Sequence, residues 1–155
     1  MKMNLFILIY IFLLNISCDK TENNSDINEI EPTKALVTTT IYIDQTVEGV
    51  NVQRAVIIQT PESIDLATNY PVVFAFHGRG GTNTSWVNKL KNFTDSGDFI
   101  GIYPQGYLKS WNLGTEESKA DDVAFVTLIV NELKHYNNLD MNKMYAIGSS
   151  NGSGM

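Results

Sequence analysis

A single cysteine, Cys18, in 155 residues excludes an intrachain disulfide. There are only two histidines, His77 and His135, far apart in the sequence and with no second thiol. That leaves no ligand cluster of metal-site spacing, and no metal is expected. Basic residues are few, with 11 Lys and Arg against 17 Asp and Glu and a formal net charge of −6. No basic stripe is present, which argues against nucleic acid as a partner. No Gly-Lys-Ser/Thr follows a glycine-rich turn, so a Walker loop is excluded. Gly78 and Gly80 are followed by Asn83 where a dinucleotide fingerprint needs its third glycine. Internal repeats are missing as well. No long membrane-spanning run stands out, since Leu5–Leu14 has signal-peptide length and is too short for a comfortable span.

That run defines the first part of the chain. Lys2 gives a positive start, Leu5–Leu14 an apolar core, and Ser17-Cys18 follows. Residues 1–18 are read as a signal peptide. A lone cysteine just after such a core resembles the bacterial lipobox, in which the thiol is acylated and tethers the protein to a membrane. Leu14 stands one place too far from Cys18 for the usual motif, and Asn15 takes the apolar position. Ordinary secretion with an incidental cysteine is the alternative, and lipidation at Cys18 is preferred. The expected location is extracytoplasmic, either anchored or secreted. Residues 19–34 are polar, acidic and asparagine-rich, too poor in large apolar side chains to fold, and read as a flexible tether. A folded unit is expected over residues 35–155.

Within that unit, Val37–Asp44 and Val52–Gln59 alternate as an antiparallel pair around Glu48-Gly49. Further strands are predicted at Val72–Phe76, Phe99–Tyr103 and Met144–Ile147, with helical segments between them. This alternation implies βαβ units and a parallel sheet. The first helix carries Trp86, Leu90 and Phe93 at helical spacing, which favours core packing over a pocket lining, and Gly97 ends it. The second runs over about Val123–Tyr136, with Val123, Val126, Ile129, Val130 and Leu133 as its buried stripe. Asp121 and Asp122 precede it and suit a cap or a loop-ordering role. Trp111-Asn112 falls in the long preceding loop, where an aromatic either stacks on a ligand or closes the core.

Two motifs carry chemistry. Gly148-Ser-Ser-Asn-Gly152 directly follows an apolar strand. G-x-S-x-G in that setting is a nucleophile elbow, a sharp strand-to-helix turn that lifts one serine oxygen above the sheet. Ser150 is in register, because glycines flank it two residues away on both sides. Upstream, His77-Gly-Arg-Gly-Gly81 follows a buried strand and resembles the HGGG-type loop that supplies an oxyanion donor. Acyl transfer builds charge on a carbonyl oxygen, and preorganised backbone N–H groups stabilise it. The expected donors are the N–H of Arg79, with Gly78 as alternative, and the N–H of Asn151. His77 and Gly78 are read as loop-ordering. His77 precedes the nucleophile, whereas the triad order on this fold is nucleophile, acid, histidine.

Together with Arg54–Pro61, Pro71–Gly81, Gly97–Gly106, Trp111-Asn112, Asp121–Phe125 and Asp140–Met155, these motifs make residues 36–155 resemble the polyhydroxybutyrate depolymerase and feruloyl esterase-like family of α/β-hydrolases. Ser153 separates Gly152 from Gly154 where the family usually has adjacent glycines, and Arg79 stands where it often has cysteine. The resemblance implies an α/β-hydrolase fold, a mostly parallel sheet flanked by helices, truncated after the elbow. It implies a serine esterase that needs no cofactor and acts on a carboxylic ester. The candidates are a hydroxyalkanoate polyester, a feruloyl ester or an acetylated plant polysaccharide. The family's catalytic Asp and His would fall beyond Met155, so the sequence is read as an N-terminal fragment, itself inactive. The alternative is a non-catalytic lipoprotein remnant lacking both, and a peptidase on the same fold is a third reading.

Overall fold

The computed structural model describes residues 31–155. The signal segment, Cys18 and the tether up to residue 30 lie outside the described residues. Residues 33 and 34, read as the end of the tether, are held against the folded unit. Both of their N–H groups donate to the His135 carbonyl, at 2.9 and 2.7 Å, and Asn137 N–H donates to the Lys34 carbonyl at 2.9 Å.

Five strands form one mixed sheet in the order β1-β2-β4-β3-β5. β1 (Thr39–Val47) and β2 (Val50–Gln59) form a hairpin. Glu48 and Gly49 take its turn with φ of 48° and 82°, the left-handed pair that matches strand twist. β2 runs antiparallel to β4 (Ile100–Pro104). β3 (Tyr70–Phe76) lies parallel to both β4 and β5 (Leu139–Gly148). Pro71 has no N–H to give a ladder, and there the β3–β5 register slips, from Tyr70 opposite Leu139 to Val72 opposite Met144.

Strand alternation sends Val56, Ile58, Val72, Phe74, Phe76, Ile100 and Ile102 into one core, closed by Phe125, Ile129 and Leu133 of helix α2 (Asp122–Leu133). The stripe predicted for this helix holds at Val126, Ile129, Val130 and Leu133 and fails at its first position. Val123 is 69% exposed, and the buried positions are Asp122, Phe125, Ile129 and Leu133. At that first turn Asp122 faces inward instead, in an ion pair with Arg54. Helix α1 (Val87–Asp95) departs more. Phe93 is half exposed and Thr94 is the buried residue. Trp86 belongs to a preceding 3-10 turn over Asn83–Trp86. Three residues per turn there break the phase that helical spacing assumed from Trp86 onward. Gly97 follows the helix with φ of 78°, as a C-terminal stop requires.

β5 is an edge strand in the structure, with Met144, Tyr145 and Ile147 38–57% exposed. Among the described residues, no helix is long and apolar enough to cross a membrane.

Candidate active site

The chain leaves β3 through α1 to β4 on one side, then crosses through α2 to β5 on the other side of β3. The loops at the carboxyl ends of these two adjacent parallel strands lie where open α/β sheets place their ligands. Phe76 lies opposite Gly148, so the loops holding His77–Gly81 and Ser149–Ser153 begin side by side. A Cβ placed on Gly78 would sit 3.5 Å from Ser150 Cβ.

Ser150 has φ of 52°, in the left-handed region. For a residue with a side chain this is a strained conformation, of a kind concentrated at functional sites. The surrounding backbone leaves no room for side chains. A Cβ on Gly148 would fall 2.1 Å from the Gly152 carbonyl oxygen, and one on Gly152 would fall 2.4 Å from that of Phe76. Ser149 N–H donates to the Phe76 carbonyl at 3.1 Å and fastens the turn to β3. The result is an exposed serine at the head of a short 3-10 turn, Ser150–Ser153.

Several amides in the two loops are engaged. Gly80 N–H donates to Lys109 O at 2.7 Å, Gly81 N–H to Gly78 O at 2.9 Å, and Gly152 N–H to Ser149 O at 2.9 Å. Among the described residues, the N–H groups of Gly78, Arg79 and Asn151 donate to no protein acceptor. All three are therefore available to an oxygen beside Ser150.

His77 is 1% exposed and both ring nitrogens are engaged. Nδ1 lies 2.8 Å from the Gly78 carbonyl, which can only accept, so Nδ1 carries the proton. Nε2 accepts from Gly106 N–H at 3.0 Å and from the Gln105 side-chain amide at 3.1 Å. Burial lowers its pKa, the Arg54 charge adds to that, and the Gly78 bond and Asp122 oppose it. A neutral imidazole with no free lone pair joins the β3 loop to the β4 loop. His135 lies before the start of β5, whereas Ser150 follows its end. From Leu139 to Gly148, β5 spans the length of β3 from Tyr70 to Phe76, so at about 3.3 Å per residue on the order of 20 Å of strand separates the two.

Trp111 is fully buried. Its indole N–H donates to the His77 carbonyl at 2.7 Å, and its ring meets Phe76 edge-on at 5.1 Å. Of the two roles left open for this aromatic, it takes the core one. Its backbone is read in both directions by the Asn151 side chain, which accepts from Trp111 N–H at 2.7 Å and donates to Trp111 O at 3.0 Å. Asn112 N–H donates to Asp122 Oδ2 at 2.7 Å, so Asp122 orders this loop while Asp121 caps α2 through Ala124 N–H at 2.9 Å. Sequence reasoning did not find Arg54, Gln105 or Glu116. Each joins loops that meet only in the folded state. The one cue was Arg54, a charge at an inward strand position.

No protein-family model matches the chain. Two curated proteins named feruloyl esterase B are similar to it. The one from Neurospora crassa is 30% identical over 99 residues, covering 58% of this chain and 34% of its own length. The one from Thermothelomyces thermophilus is 29% identical over 106 residues, covering 63% and 36%. The chain thus spans about a third of the length of these relatives. Among solved structures, a thermostable esterase superposes with a TM-score of 0.53 at 21% identity, covering 73% of this chain and 35% of that one. By these likenesses the chain has the α/β-hydrolase fold and is similar in sequence to esterases of that fold.

Proposed function

We propose that the protein carrying this chain hydrolyses carboxylic esters through an acyl-enzyme on Ser150. The observation behind this reading is the strained, exposed Ser150 at φ 52°, set beside three unengaged backbone N–H groups. In the mechanism, Ser150 Oγ attacks the ester carbonyl. The carbonyl oxygen takes up negative charge and accepts from the N–H groups of Arg79, or Gly78, and Asn151. The C–O bond to the leaving alcohol breaks, and water then releases the acid. His77 holds the oxyanion loop and does not act as the base. On the logic of the triad, a histidine paired with a carboxylate would activate Ser150. The curated relatives' name makes a feruloyl ester of plant polysaccharide the first substrate to try, ahead of hydroxyalkanoate polyesters and acetylated xylan. A fluorophosphonate probe is the direct test. We expect it to label the full-length protein at Ser150, and Ser150→Ala to lose both label and ester turnover. Equal labelling of that variant would overturn the reading.

A non-catalytic protein is the second reading. It is favoured by one observation: neither described histidine offers a free ring nitrogen beside Ser150. Complete absence of labelling in the full-length protein would decide for it.

The address belongs to the same proposal. Signal-like residues 1–18 would direct the protein out of the cytoplasm, with acylation at Cys18 as anchor. Radiolabelled palmitate should enter the protein and not a Cys18→Ser variant, and a label that persists in that variant rules out this anchor.

A further inference from the structure

Glu116 lies in the irregular loop between β4 and α2, where a glutamate ordinarily faces water. It is nevertheless only 6% exposed. Its Oε1 accepts from the Arg79 guanidinium at 2.6 Å and from the Asn151 side-chain amide at 3.4 Å. Its Oε2 accepts from Leu113 N–H at 2.8 Å and from Thr115 N–H at 3.2 Å. These donors, Leu113 N–H foremost, hold its carboxyl below the usual range, so it is ionised at neutral pH. The Arg79 side chain is 64% exposed, and what orders it is this carboxylate rather than burial.

The two side chains that meet on Glu116 belong to the residues whose backbone N–H groups are the proposed oxyanion donors. One residue comes from the loop after β3 and the other from the turn after β5. The β3 loop is rich in glycine and therefore loses much conformational freedom when it is fixed. An oxyanion hole requires donors within a few tenths of an ångström of their working place.

We propose that Glu116 is a positioning residue for the oxyanion hole, one buried carboxylate that clamps Arg79 and Asn151 and thereby sets the separation of their backbone donors. Arg79 then matters through its side chain as well as its amide. This inference rests on the reading of Ser150 as nucleophile. A loosened clamp weakens the charged tetrahedral state more than the neutral bound ester, so the loss falls on kcat and not on KM.

The test compares full-length wild type, Ser150→Ala, Arg79→Met, Glu116→Gln and the double variant. It uses an ester that Ser150 turns over and a boronic acid that becomes tetrahedral on that serine. Arg79→Met and Glu116→Gln should each lower kcat roughly tenfold, leave KM within about twofold, and weaken the boronic acid roughly tenfold. The double variant should be no worse than the singles, because one clamp is lost in every case. Arg79 is exposed, so Arg79→Met keeps the test decisive should Glu116→Gln misfold. Ser150-dependent turnover that Arg79→Met leaves unchanged overturns the clamp alone, as does a loss of kcat with unaltered boronic acid binding. Turnover that survives Ser150→Ala overturns the nucleophile reading, and the clamp falls with it.

Discussion

Arg54 and Asp122 each expose 2% of their side chains and meet at 2.7 Å. Taking two charges out of water is costly, and the attraction between them offsets that cost only when their other polar atoms are also satisfied. Here they are. Arg54 also donates to the Gln105 carbonyl at 3.1 and 3.0 Å and to Gln45 Oε1 at 2.8 Å, and its guanidinium lies 3.5 Å over the Phe125 ring. Asp122→Ala would strand the guanidinium and free Asn112 N–H at once. We expect a loss of about 3–5 kcal/mol in denaturant melts. Adding Arg54→Met should recover part of it, because no uncompensated charge remains. A loss below about 1 kcal/mol for Asp122→Ala would mean that water reaches the site. The pair was only half legible. An arginine at an inward position on β2 calls for a partner, but 68 residues separate it from Asp122. Spacing alone does not choose among 17 acidic residues.

Elements were legible where local chemistry settles them. Four of the strands were readable from alternating or continuous apolar runs that one arrangement buries, and β5 from the short apolar run just before the elbow. Glu48-Gly49 and Gly97 marked their turns because each must take positive φ. The elbow was readable because its two glycines answer backbone crowding, from Gly152 at Gly148 and from Phe76 at Gly152. Helix faces were less legible. α1 lost its phase to a 3-10 turn, and the first turn of α2 buries Asp122 in place of Val123. Both effects come from contacts with the rest of the fold, which helical spacing does not contain. The early start of β5 at Leu139 is of this kind too, because Leu139 faces Tyr70 across a register slip. Glu116 was the least readable member of the site. Nothing in the Ser110–Asp121 loop sequence tells which of its two glutamates turns inward, and only the meeting of three loops decides it.

At the scale of the whole molecule, these buried groups should make stability depend on pH in two stages. His77 is held neutral in the folded state, with its pKa lowered chiefly by burial. In the unfolded chain it takes a proton below about pH 6.5. The unfolded state then binds more protons than the folded one, so stability falls as pH drops from about 6.5 towards the lower folded value, and is fully present above it. The carboxyls of Glu116, Asp65 and Asp140 are also shifted down. The causes are backbone N–H donors at Glu116 and Asp65, and the Lys143 ammonium at Asp140. Their contributions are present above the ordinary carboxylate range and are lost as pH falls through their lower folded values. Thermal melts at fixed ionic strength should therefore show Tm constant from about pH 8 to 7, a first decline below about 6.5, and a steeper one below about 4. His77→Gln offers an amide in place of the ring and takes up no proton. It should remove the first decline and leave the second, whatever it does to Tm at neutral pH. If its profile between pH 7 and 5 matched wild type, the first stage would belong to another group, and the neutral His77 tie between the β3 and β4 loops would have to be abandoned.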